Sequence, residues 1–200
     1  HADNESLVTI GPKVTNLSSA LFRTGDFNAF TFEYSPEPLH IDGPFEGGAT
    51  NLILDRDIVI DLRTMDSLVM LPFSGRNKTQ SILLGENISK IPDQLFAGYS
   101  SLTHVVIPSN IKEIGRSAFN GCEKLQVASI LGEPNIKDSA FIGCNHLSYL
   151  YFMGNSVQLA KNVFKDCPIE EVTTNFNVDP ENDSAEDAFD GKTYSSAQLI

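Results

Sequence analysis

The chain has 200 residues, 41% of them hydrophobic, and a formal net charge of −12. That is enough apolar side chain for one continuous core, and the few Lys and Arg form no cluster that would neutralise phosphates, which argues against nucleic acid as a partner. No stretch approaches the ~18 uninterrupted apolar residues of a membrane span, so no membrane insertion by this segment is expected.

From the amino terminus, the polar opening His1-Ala-Asp-Asn-Glu-Ser does not read as a leader. An apolar pattern starts directly behind it at Val8, Ile10, Val14, Leu17, Leu21 and Phe22. These lie at −14, −12, −8, −5, −1 and 0 from the phenylalanine, and the same offsets return in Ile82–Phe96 and Val105–Phe119. A second copy runs from Phe27-x-x-Phe30-x-Phe32 to Phe45. The third is irregular and about five residues longer. Its Leu52-Ile-Leu54 and Ile58-Val-Ile60-Asp-Leu62 both have strand character, and the sequence leaves open which of them joins the main sheet. Beyond the fifth copy, Leu125-x-x-Ala128-x-Ile130 leads to Phe141, Leu147-x-x-Leu150-x-Phe152 to Phe164, and Ile169-x-x-Val172 to Phe189. Phe22, Phe45, Phe73, Phe96, Phe119, Phe141, Phe164 and Phe189 thus stand 22 to 28 residues apart, a period that marks stacked, coiled architectures.

Each copy translates into local structure. An alternating pair such as Val105/Ile107 is a short strand with one face inward. Pro108, Gly85, Gly11 and Gly154 punctuate the turns that follow. The segment ending at the phenylalanine lacks a capped helix of ordinary length, so a turn or short helical bend is expected there. Stacking one circuit per copy gives a solenoid of about eight coils of 22–23 residues. One parallel β-sheet forms a face, with turns or short bends opposite.

The fullest copy, Leu102-Thr-His-Val105-Val-Ile107-Pro108…Ile111-x-x-Ile114-Gly-x-x-Ala118-Phe119-x-x-Cys122, resembles the BspA-type leucine-rich repeat of bacterial surface proteins. The resemblance is weaker over 1–78 and strong over 79–191. The tail at 192–200 is similar to an incomplete C-terminal cap, so the whole of 1–200 reads as a single leucine-rich-repeat domain. The resemblance implies a secreted or surface-anchored bacterial protein, its leader or anchor not present in this chain, that recognises other macromolecules.

Few residues suggest chemistry. Cys122, Cys144 and Cys167 occupy one repeat position, held by Tyr99 in the copy before, and their spacing is not that of a zinc site. They read as a buried column, a disulfide between neighbouring coils being the lesser alternative. A Cys144–His146 pair is a poor candidate dyad, because Cys144 belongs to that column. The acidic run from Asp179 to Asp187 reads as a solvated loop rather than a calcium site, since its glycine and terminal glutamate are out of register for an EF-hand. No cofactor, no metal and no enzymatic activity are expected.

The outward strand positions carry more information. With Val105 and Ile107 inward, His104 and Val106 point out. Two columns follow: Leu7, Ala29, Asn51, Ser81, His104, Val127, Tyr149, Glu171, and Thr9, Thr31, Ile53, Leu83, Val106, Ser129, Tyr151, Thr173. Leu131 and Met153 stand two positions further on. The amino half is mostly small or polar, whereas Leu83, His104, Val106, Val127, Leu131, Tyr149, Tyr151 and Met153 gather in the carboxyl half. An apolar, aromatic-bearing sheet surface marks a contact site. Packing within the molecule or a one-residue register shift are the competing explanations. The expectation is a non-enzymatic adhesion or binding module whose partner is a protein of the host matrix, the host cell or a bacterial surface. The alternatives are a structural spacer or self-associating subunit, and a glycan-binding accessory protein of a surface uptake system.

Overall fold

The computed structural model describes residues 7–18, 26–42, 48–55, 58–60, 77–176, 188–189 and 197–198. Phe22, Phe45, Phe73 and the acidic run at 179–187 lie outside the described residues.

Strands β1 (Leu7–Ile10), β3 (Asp26–Phe32), β5 (Gly48–Leu54) and β7 (Ser81–Leu84) form one parallel stack. A second stack on the same side of the coils holds β9 (His104–Ile107), β11 (Val127–Ile130), β13 (Tyr149–Phe152), β15 (Glu171–Thr174) and β16 (Ala197–Gln198). β7 and β9 lie side by side but without ladder pairing. Within each stack the register advances by a single copy per step, so Val106 faces Ser129 and Ser129 faces Tyr151. That excludes the register shift. β16 pairs with β15, Thr173 opposite Ala197, so part of the tail adds another rung to the face.

The expectation of one sheet needs correction. After each long strand from β1 to β13 the coil turns a corner and forms a second, shorter one. β2 (Asn16–Ser18), β4 (Leu39–Asp42) and β6 (Ile58–Ile60) make one such stack. β8 (Lys90–Ile91), β10 (Glu113–Ile114), β12 (Asn135–Ile136) and β14 (Gln158–Leu159) make another. The second wall also resolves the irregular copy. Leu52–Leu54 pairs with β3 and β7 on the main face, and Ile58–Ile60 pairs with β4 on the second.

A third wall carries the phenylalanines and is built from consecutive turns. Leu95, Ala97 and Tyr99 donate their N–H groups to carbonyls three residues back. The alternate residues Gln94, Phe96 and Gly98 donate across to Arg116, Ala118 and Asn120 of the next coil. Phe119, Phe141 and Phe164 repeat this toward Ala140, Val163 and Ala188. Among the described residues, every inter-coil backbone bond of this wall runs from the earlier coil to the later one. Making each alternate N–H point along the axis requires left-handed backbone at two repeat positions. Gln94, Ser117, Ser139 and Asn162 take one, with φ from 53° to 59°. Gly98, Gly121, Gly143 and Asp166 take the other, at 61° to 74°.

Inside the three walls the core is continuous. The rings of Phe96, Phe119, Phe141, Phe164 and Phe189 stack with centroids 4.9 to 5.4 Å apart. The cysteines are free and buried, and they do more than fill space. The thiols of Cys122, Cys144 and Cys167 donate to the carbonyls of Phe96, Phe119 and Phe141, each one coil earlier, at 3.1 to 3.2 Å.

Candidate binding face

Strand parity on the main face puts one side chain of each pair into the core and the next toward solvent. In β9 the pattern is His104 exposed, Val105 buried, Val106 exposed, Ile107 buried. The eight expected surface residues fall together on this face. Leu83 is 58% exposed, Val106 51%, Leu131 and Met153 41% each and Tyr149 37%. His104 is exposed, while Val127 and Tyr151 are half-buried. His104, Val127 and Tyr149 are consecutive rungs of one column, and Val106, Ser129 and Tyr151 of the next, about 4.8 Å apart per rung. Leu131 and Met153 continue the strands, their N–H groups donating to Ile107 and Ile130.

Among the described side chains, the same columns fail at two positions. Ala29 is buried, its small side chain lying between the cross-strand partners Leu7 and Asn51. Thr173 is 3% exposed where β16 pairs beside it, and its hydroxyl donates to Glu171 at 3.0 Å. Thr173 therefore bounds the apolar area at its carboxyl side.

Beyond the Leu83 end lies a feature that strand parity did not reveal, an open groove of about 430 Å³. Thr31, Ile53 and Leu83 form its floor. Tyr34, 51% exposed, stands on one side, and Glu33, Asp55 and Glu86 on the rim. Asp55 is anchored by Asn87, which donates from its backbone N–H and from Nδ2, all at 3.1 Å. Glu33 and Glu86 are exposed.

A similar carboxylate–asparagine clasp joins later coils at the same edge. The backbone N–H and Nδ2 of Asn155 donate to Glu133 Oε1 at 3.0 and 2.8 Å. These bonds, the backbone one foremost, favour the charged form and hold the Glu133 carboxyl below its ordinary value of 4.5. A lowered folded-state pKa means that the clasp contributes at pH values above the unfolded pKa and is lost as pH falls through the folded one. A carbon-detected NMR titration should therefore give Glu133 a midpoint below 4.5. Asn155→Ala removes the Nδ2 bond and keeps the backbone one, so it should move that midpoint part of the way back up; a wild-type midpoint at or above 4.5 would mean that the clasp does not hold in solution.

The candidate dyad is not assembled. Cys144 is fully buried, and burial pushes its thiol well up, with Cys122 and Cys167 adding to the rise. His146 is exposed and donates from Nδ1 to the Glu123 carbonyl at 2.6 Å. Among the described residues there is no group of three or more His, Cys, Asp or Glu placed to hold a metal ion, and no helix long and apolar enough to cross a membrane.

The family comparison agrees with this architecture. The family described as the BspA type leucine rich repeat region matches residues 70–192 in six copies. Six of the eight phenylalanines, from Phe73 to Phe189, lie in that span. A crystal structure of a leucine-rich repeat protein of T. pallidum is similar with a TM-score of 0.48. The two are 17% identical, and the likeness covers 83% of this chain and 78% of that one. No curated protein matches the chain.

Proposed function

The chain belongs to the BspA-type leucine-rich repeat family, and from that premise we propose that it is a non-enzymatic binding module that takes a protein partner on its main sheet face. The observation that carries this reading is the group of exposed large apolar side chains at Leu83, Val106, Leu131, Tyr149 and Met153. A solvated sheet face is ordinarily polar, and a contiguous apolar area on one is a contact surface. The family is typically surface-associated in bacteria, which favours secretion or display on the cell and a partner on the host matrix, the host cell or another bacterium. Binding works by shape and apolar contact across neighbouring rungs, with Ser129 and His104 setting polar points within the area.

Tyr149 and Tyr151, two residues apart on β13, favour a second reading in which the face stacks against sugar rings. Arrays of matrix proteins, cell-surface proteins and glycans probed with the wild type, Val106→Asp and Tyr149→Ala separate the two. Protein capture should fall about tenfold or more for Val106→Asp, about 1.4 kcal/mol, with the thermal midpoint unchanged because Val106 is outside the core. Glycan capture lost with Tyr149→Ala selects the second reading. Concentration-dependent self-association in light scattering, abolished by Val106→Asp, would instead make the face a contact between copies. Capture indifferent to both substitutions removes the face from consideration.

A further inference from the structure

We propose that the groove beside Leu83 seats a basic side chain, arginine or lysine, of an amphipathic polypeptide whose apolar residues lie along the main face. The inference rests on the reading of that face as a protein-binding surface and names the partner's chemistry. Three observations converge on it.

The first is charge. Glu33, Asp55 and Glu86 stand on the rim, and among the described residues no Lys, Arg or His lines the groove. The formal net charge of −12 sets the same sign over the molecule as a whole, so a cationic segment is drawn to the groove and an anionic one is repelled. The second is the floor. Ile53 and Leu83 are aliphatic, and Tyr34 presents a ring at the side. Arginine and lysine bury a hydrocarbon stem while keeping the charged head in water, and both are attracted to an aromatic face. A purely electrostatic site for a metal or a small polyamine would have no use for such a floor. The third is continuity. Leu83 belongs to the groove and to the exposed apolar face alike. One extended segment therefore places apolar side chains over Val106, Tyr149 and Met153 and a basic one in the groove.

The rim is pre-set. Asp55 is fixed by Asn87 through backbone and side-chain bonds, so one carboxylate is already oriented before a partner arrives and little ordering cost attaches to it. Glu33 and Glu86 are exposed and are the carboxylates to test, since changing Asp55 would also undo its bonds to Asn87.

The experiment titrates the isotopically labelled chain with acetylated twelve-residue peptides that alternate Leu with Arg, with Ser or with Glu, following backbone amides by NMR. The Leu/Arg peptide is expected to shift the amides of Asp55, Glu86 and Asn87 saturably. The Leu/Ser peptide should bind more weakly and the Leu/Glu peptide weakest. The double variant Glu33→Gln/Glu86→Gln should weaken the Leu/Arg peptide about three- to tenfold and flatten its salt dependence. Its fold is monitored by the unchanged amides of the Phe96–Phe164 wall. Equal binding of the Arg and Ser peptides, or indifference of the double variant, overturns the proposal. So does displacement of the Leu/Arg peptide by spermine at matching affinity, because the apolar floor would then contribute nothing. Failure here is distinguishable from failure of the broader reading. If Val106→Asp abolishes partner capture while the Arg peptide shows no preference, the groove assignment falls alone. If the Arg peptide behaves as described but capture ignores Val106→Asp, the groove stands without the face.

Discussion

Phe119→Ala should cost about 3–5 kcal/mol of stability, among the largest effects of any single truncation in the chain. The ring is fully buried and lies between two others, 5.1 Å from Phe96 and 4.9 Å from Phe141, the latter pair within 7° of parallel. Truncation removes both stacking contacts and leaves a cavity in a solenoid whose coils are stabilised mainly by their neighbours. The backbone around it cannot collapse inward easily, because the Phe119 N–H is tied to Ala140 and its carbonyl receives the Cys144 thiol. Urea denaturation of the wild type, Phe119→Ala and Phe119→Leu measures the effect. The leucine variant restores most of the volume and should lose less than half as much. Equal midpoints for the two variants would show that the ring column is not what couples the coils.

Gly154→Ala is expected to destabilise by about 3 kcal/mol, at the upper end for added bulk in a packed region. A Cβ at this position would stand 2.3 Å from the carbonyl oxygen of Gly132 and 2.8 Å from its carbon. Both atoms are backbone, so no side-chain rotation relieves the overlap. Gly132 is itself pressed against Ser109, whose Cα would lie 2.8 Å from an added Cβ, so the corners of three successive coils nest through glycine. Gly121→Ala is the matched control. Its added Cβ meets nothing within 4 Å, but its φ is +67°. It should lose only about 1 kcal/mol, the left-handed strain less the entropy removed from the unfolded chain. A reversed order of the two variants would falsify the nesting account.

Much of this molecule was legible in its sequence because a repeat multiplies weak signals. The offsets behind Phe96 and Phe119 fixed which strand residues face inward, and the pairing of His104 with Val127 and of Val127 with Tyr149 follows from that periodicity alone. The second wall was less visible, since Lys90–Ile91 and Glu113–Ile114 are too short to display alternation. Parity also misleads where a strand ends. Tyr34 shares the parity of the inward Phe32, yet β3 stops at Phe32 and the tyrosine swings out to solvent. For that reason strand parity does not disclose the groove, nor Glu33 and Glu86 beside it. The Asp55–Asn87 clasp spans 32 residues, well beyond the regular period, because it bridges the irregular coil. Only the folded chain brings such partners together.

The bonds of the phenylalanine wall carry one more implication. From Phe96 to Ala188, the alternate peptide N–H groups point toward the carboxyl end and the carbonyls that receive them toward the amino end. Their dipoles add along the rod, as peptide dipoles add along a helix, but with the positive pole at the carboxyl end. The array consequently has a grain. On this wall its two ends are chemically opposite, one supplying hydrogens and the other lone pairs. Any added coil, or a second molecule abutting the wall end-on, finds matching groups only when the arrows run the same way.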